Sequence, residues 1–133
     1  MIVGERILEI SGHRAETGSI KGLNLNIGID EVKEVDGVVE IIYTYTADYE
    51  DKFGLITIKG VLMAKEEDKL TKEIVDTWKR NKKIPDAYAE LVLSAINYTG
   101  SANGTLLARV LGLTAPLIQP KIQVSQQATG SKK

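Results

Sequence analysis

The sequence predicts an α+β fold, a four-stranded antiparallel sheet followed by helices. Three observations carry that expectation. The first half alternates apolar and polar residues with the two-residue period of strands. The period changes to that of helices near Glu66. The links between the strand segments are short, which favours antiparallel neighbours.

The earliest strand candidate is Arg6 to His13, where Leu8 and Ile10 share a face and Ile7 falls opposite. Leu23 to Asp30 alternates without a break, giving one apolar and one wet face. Asp36-Gly37 follows, a hairpin signal because both residues tolerate positive φ. Val38 to Thr46 is rich in β-branched and aromatic residues. Val39, Ile41, Tyr43 and Tyr45 share one face there, and Val38 and Ile42 lie on the other. A polar loop, Asp48 to Lys52, leads to Phe53 through Met63, a run that also reads as apolar on both faces.

From Glu66 to Arg80 the chain is rich in helix formers, with Leu70, Ile74 and Trp78 on one stripe. Acidic residues open this helix and Lys79 and Arg80 close it, both favourable to the helix dipole. Pro85 suits the first turn of a second helix, whose stripe is Tyr88, Leu91, Val92, Ala95 and Ile96. Gly100 to Gly104 is expected to break or cap that helix. Leu106, Leu107, Val110 and Leu111 then form a third amphipathic stretch, stopped by Gly112. Pro116 and Pro120 hold the next segment extended. The expected organisation is one domain over 1–124 and a flexible polar tail over 125–133.

Composition narrows the function classes. The 133 residues carry a net charge of −1, which gives no global attraction to nucleic acid or anionic membrane. The chain has no cysteine, which excludes disulfides, thiolate catalysis and cysteine zinc sites. Met1 to Arg6 lacks the pattern of a signal peptide, so a cytoplasmic address is expected. His13, the single histidine, has no serine and carboxylate partners in any recognisable pattern and reads as a strand residue. Asp48, Glu50 and Asp51, and Glu66, Glu67 and Asp68, read as solvated carboxylates. Lys79 to Lys83 is a basic cluster without the patterned aromatics of a nucleic-acid platform. No catalytic group, cofactor or metal site is assigned, and the chain is read as a non-enzyme that neither binds nucleic acid nor inserts in membranes.

Helices can cover one face of a sheet, yet two strands read as apolar on both. The second face is then expected to meet another subunit or a ligand. Tyr43, Tyr45, Tyr49 and Phe53 flank one hairpin and, with Met63 beside them, suit contact with apolar ligands.

The order of these segments resembles the SecB family of export chaperones, including its shorter SecB-like members, from about Glu5 to Val124. Leu23 to Ile29 is similar to the family's second strand, and Val38 to Thr46 and Leu55 to Met63 to the next two. Gly60-Val61-Leu62-Met63 before Glu66-Glu67 resembles the exit from its last strand. Pro85 to Ser94 resembles the start of its long helix, and Ala115 to Pro120 its proline-marked segment. The resemblance implies a homotetrameric dimer of dimers, with grooves that hold unfolded or nascent chains for export, lined here by Tyr43, Tyr45, Phe53, Leu55, Met63 and Trp78. On that expectation, serine at Tyr43 and Tyr45 weakens capture and leaves the fold assembled. Three features depart from the family. Asn97 to Gly104 is expected to break its continuous long helix, which implies an altered groove or a different assembly. The charge is only −1, and Ser125 to Lys133 has no cysteine–histidine zinc feature, so coupling to the SecA motor is not implied. The alternative is an oligomeric structural or adaptor protein whose apolar sheet face is consumed by self-assembly.

Overall fold

A computed structural model of the chain describes residues 1–117 and the backbone of 121–122. Pro120 and the expected tail at 125–133 lie outside the described residues. Four long strands come first: β1 (Ile2–Arg14), β2 (Leu23–Val35), β3 (Val38–Tyr49) and β4 (Gly54–Ala64). Two helices follow, α1 (Asp68–Asn81) and α2 (Asp86–Leu111), and then a two-residue strand, β5 (Lys121–Ile122).

The sheet order is β1-β4-β3-β2-β5. The four long strands pair antiparallel, and β5 pairs parallel with β2. Asp36 (φ 53°) and Gly37 (φ 82°) make the β2–β3 hairpin, as the Asp-Gly signal requires. β1 does not pair with its successor in sequence but crosses to the far edge, beside β4. It is interrupted by register shifts that leave Val3 and Leu8 as the extra residues. A third shift, at Asp30 of β2, lets the alternation recover so that Val32 is buried with Leu25, Ile27 and Ile29.

Both helices lie on one face, here the inner face. It holds Val39, Ile41, Tyr43, Tyr45, Ala47 and Tyr49 of β3 and Ile56, Ile58 and Leu62 of β4, all buried. Ile74 and Trp78 of α1, and Tyr88, Val92, Ile96 and Ala108 of α2, complete this core. α1 ends at Lys82 in the left-handed conformation, whose N–H donates to the Trp78 carbonyl.

Two expectations need correction. The region from Gly100 to Gly104 does not end a helix, because α2 runs unbroken for 26 residues. Both glycines are buried inward-facing positions. A Cβ at Gly100 would overlap the Tyr45 ring, and one at Gly104 would come within 2.8 Å of Pro116 Cγ. They are there for close packing, and the expected third helix is the end of α2.

The outer face is the second correction. On β3, Val38 and Ile42 alternate there with Glu40, Thr44, Thr46 and Asp48. On β4, Thr57 and Lys59 separate Leu55 from Val61 and Met63. Register sets Asn24 and Asn26 of β2 and Arg6, Glu9 and Ser11 of β1 beside them. The face is mostly hydrophilic. Its apolar side chains form a local cluster in which Val61 sits buried between Ile42 and the stem of Arg6.

Candidate functional site

The six residues expected to line a groove are not brought together on one open surface. Tyr43 and Tyr45 are completely buried between the sheet and α2. Phe53 is buried under the Arg14 guanidinium, 4.9 Å above its ring. Trp78 is buried on the inner side of α1, with Lys82 Nζ 5.8 Å from its ring. Leu55 and Met63 are half-buried on the opposite, outer face. Strand period had assigned Tyr43 and Tyr45 to one face correctly, but that face is the roofed one. Serine at both positions would hollow the core, so the pair reports folding and not capture.

The exposed apolar surface lies elsewhere, where α2 runs along the edge strand β1. Ile10 pairs with Ile58, and Ile7 with Gly60, so both point to the helix side of the sheet. Both remain exposed, as does Leu8 at the bulge between them. On α2, Thr99, Asn103, Leu106 and Val110 follow i, i+4, i+7, i+11 spacing and form one stripe. Leu106 is 62% exposed and Val110 84%.

Polar anchors fix this stripe against β1 at two points. Near one end, Thr99 Oγ1 donates to the Glu5 carboxylate at 2.7 Å, and Asn103 Nδ2 donates to the Thr99 carbonyl at 2.9 Å. At the other, Arg14 Nη1 donates to the carbonyls of Leu111 and Gly112 at 3.1 Å. Gly12 lets Leu111 descend onto β1, since a Cβ there would lie 2.9 Å from Leu111 Cδ1. This edge of the molecule thus carries exposed aliphatic side chains from both elements, Ile7, Leu8 and Ile10 of β1 and Leu106 and Val110 of α2, while hydrogen bonds hold α2 to β1 at two points.

Beneath the Thr99 anchor lies Tyr43. Its hydroxyl is buried beside Glu5 and Thr99 without a hydrogen bond of good geometry. Burial first, then the negative charge of Glu5, pushes this phenol up to about 12. The Tyr45 hydroxyl is also buried, beside Ser101, without a hydrogen bond of good geometry among the described residues, and burial raises its pKa. Tyr49, by contrast, donates to the Thr114 carbonyl.

The sequence-flagged polar groups do not converge. His13 is exposed on β1, paired with Leu55. Asp51 meets Lys21 at 3.5 Å on the surface. Lys79, Arg80, Lys82 and Lys83 are exposed where α1 ends. Among the described residues, no group of three or more histidine, cysteine or carboxylate side chains is placed to hold a metal ion, and no helix is long and apolar enough to cross a membrane.

One solved structure sets this arrangement in context. It is a Mycobacterium tuberculosis SecB-like chaperone, in complex with a ChAD peptide from an antitoxin. It matches with a TM-score of 0.53 over 90% of this chain and 88% of that one, at 14% identity. This chain has a SecB-like fold. No family model matches the sequence, and no curated protein matches it either. The four antiparallel strands and two helices of the SecB-like fold are those the order of segments had led one to expect. What sequence reasoning missed is the exposure of Leu106 and Val110. Leu106 and Val110 read as core because a helical stripe shows which residues share a face, not whether anything covers them.

Proposed function

We propose that this protein is a chaperone-like binder of non-native polypeptide. The single observation behind this reading is the set of exposed aliphatic side chains on two neighbouring elements, β1 and α2, of a SecB-like fold. A lone exposed leucine needs no explanation, but Ile7, Leu8, Ile10, Leu106 and Val110 together call for one. The solved SecB-like neighbour was caught holding a peptide, which is consistent with a polypeptide occupant here.

The mechanism is hydrophobic capture. Each client side chain buried would contribute about 1.5–3 kcal/mol before ordering costs. Several such contacts give affinity without sequence specificity. Clients are unfolded or nascent chains, held before folding or export. Of the six residues first considered, Leu55 and Met63 are accessible contacts on the outer face. Tyr43, Tyr45, Phe53 and Trp78 would meet a client only after displacement of the roof above them.

A second reading is self-assembly. β1 is an open sheet edge, and its exposed Ile7, Leu8 and Ile10 would suit a second copy as well as a client. A homo-oligomer, up to a dimer of dimers, is compatible with both readings if some apolar surface stays free. Light scattering of the pure protein, alone and with a permanently unfolded protein, separates them. Capture predicts a heavier complex that forms only with the unfolded client. An assembly that ignores the client leaves the adaptor reading, and a monomer that ignores it removes both.

A further inference from the structure

Four of the chain's 17 basic residues, Lys79, Arg80, Lys82 and Lys83, fall within five consecutive positions, although the net charge is −1. All four are exposed. The helix dipole accounts for Lys79 and Arg80, which lie in the last turn of α1. It does not account for Lys82 and Lys83, which follow the helix. Among the described residues, no carboxylate pairs with any of the four. Asp76 stands one turn before Lys79 and Arg80 but meets Lys72, at 3.4 Å. The other ion pairs, Met1 with Glu66 and Lys21 with Asp51, lie elsewhere. Like charges this close repel one another, so the turn gains from any anion that settles on it.

The turn is also held in one shape. Trp78 before it and Ile84 after it are both buried in the core. Lys82 has left-handed backbone, φ 56°, at a position that glycine fills without steric cost. Its N–H donates to the Trp78 carbonyl at 2.8 Å, and its Nζ lies 5.8 Å from the Trp78 ring, which steadies the ammonium. A lysine kept where glycine would fit more easily points to a use for its charge.

We propose that the Lys79–Lys83 turn is an electrostatic docking site for an acidic segment of a non-native polypeptide. The proposal rests on the polypeptide-binding reading above and adds charge to its selection of clients. A polypeptide fits better than nucleic acid, because the site spans a single turn and its one aromatic ring, Trp78, is buried and offers no face for base stacking. α1 packs on β2 and β3, whereas β1 with its exposed aliphatic side chains forms the far edge of the sheet. A client with separate apolar and acidic segments can therefore engage both surfaces together.

The test uses the full chain and three fluorescein-labelled peptides. All share the apolar segment Leu-Ser-Ile-Ser-Leu-Ser-Val and a glycine–serine spacer, and they end in six glutamates, six serines or six lysines. Kd is read by anisotropy at about 50 mM and about 300 mM salt. The parent is expected to bind the glutamate peptide about tenfold tighter than the serine peptide at low salt, the lysine peptide no tighter, and to lose most of this preference at high salt. K79Q/R80Q/K82N/K83Q should lose the preference and still bind the serine peptide; K82N suits the left-handed backbone there. K33Q/K59Q/K65Q/K69Q removes four exposed charges elsewhere and should keep it. K79Q/R80Q, which leaves the Lys82 cap untouched, should retain about threefold. Equal affinity of the parent for the glutamate and serine peptides overturns the acidic docking site and leaves the polypeptide-binding reading standing. Equal loss of preference in both quadruple variants overturns it too, because the attraction then belongs to the whole molecule's charge. A uridine 12-mer that binds the parent more tightly than the glutamate peptide, and not K79Q/R80Q/K82N/K83Q, assigns the turn to phosphate and overturns the polypeptide assignment. Failure of every form to bind any peptide overturns the inference together with the reading beneath it.

Discussion

The three tyrosines of β3 show how one side-chain type takes different energetic roles in one core. Tyr49 donates to the Thr114 carbonyl and ties the segment after α2 to the sheet. Tyr43 and Tyr45 bury hydroxyls that make no hydrogen bond of good geometry among the described residues, Tyr43 beside Glu5 and Thr99 and Tyr45 beside Ser101. A buried polar group without a hydrogen bond costs stability, so its removal should cost little or help. Y43F and Y45F are therefore expected to match or exceed the parent in urea unfolding, by up to about 1 kcal/mol, and Y49F to lose about 1 kcal/mol. Equal losses in all three would show that the first two hydroxyls are satisfied. Glu66 makes a second residue-scale prediction. Its carboxylate accepts from the Met1 ammonium and, at 2.6 Å, from the Tyr88 hydroxyl. These bonds, in that order of importance, hold its pKa below the ordinary 4.5. A depressed folded-state pKa stabilises above the unfolded value, and the benefit fades as pH falls through the folded one. E66Q should be less stable than the parent at neutral pH, and the gap between their urea midpoints should close on acidification below pH 4.5.

At the scale of elements, α2 is held by close approach more than by amphipathic pattern. Glycine in a helix interior is ordinarily about 1 kcal/mol worse than alanine. At Gly100 the balance reverses, since a methyl group would enter the fully buried Tyr45 ring, which has nowhere to retreat. G100A is expected to destabilise by about 1–3 kcal/mol despite its better helix propensity, measured by thermal or urea unfolding. The same position explains what was legible in the sequence and what was not. The Asp36-Gly37 turn, the β2 alternation and the Trp78 stripe are local patterns, and each produced its element in place. Gly100 and Gly104 depend on Tyr45 and Pro116, partners remote in sequence, and a local reading took them as breakers. Bulges behave alike. The shift at Leu8 puts Ile7 and Ile10 on the same side of the sheet, where strict alternation had placed them on opposite sides.

For the whole molecule, sequence pattern implied more apolar surface than one layer of helices could shield, and the structure moves that surplus. The outer face of the sheet is mostly polar, and the exposed apolar side chains include Ile7, Leu8 and Ile10 of β1 and Leu106 and Val110 of α2, with Val35, Leu91, Tyr98 and Leu117 exposed elsewhere. Periodicity located the faces, but coverage depends on where α2 crosses the sheet, and no strand or helix period encodes that. The α2 side chains of this surface can be tested apart from the fold because they are already solvent-exposed. L106S/V110S removes apolar contact area without opening a cavity, so its stability should stay within about 0.5 kcal/mol of the parent. Client affinity should fall about tenfold or more, the loss expected when two aliphatic contacts disappear. Serine at Tyr43 and Tyr45 should do the reverse, unfolding the core before capture can be assayed. If L106S/V110S stays folded and binds an unfolded client as tightly as the parent by anisotropy, capture does not occur at these side chains. If the same variant only becomes a smaller assembly in light scattering, with no client bound by either form, these side chains serve contacts between copies.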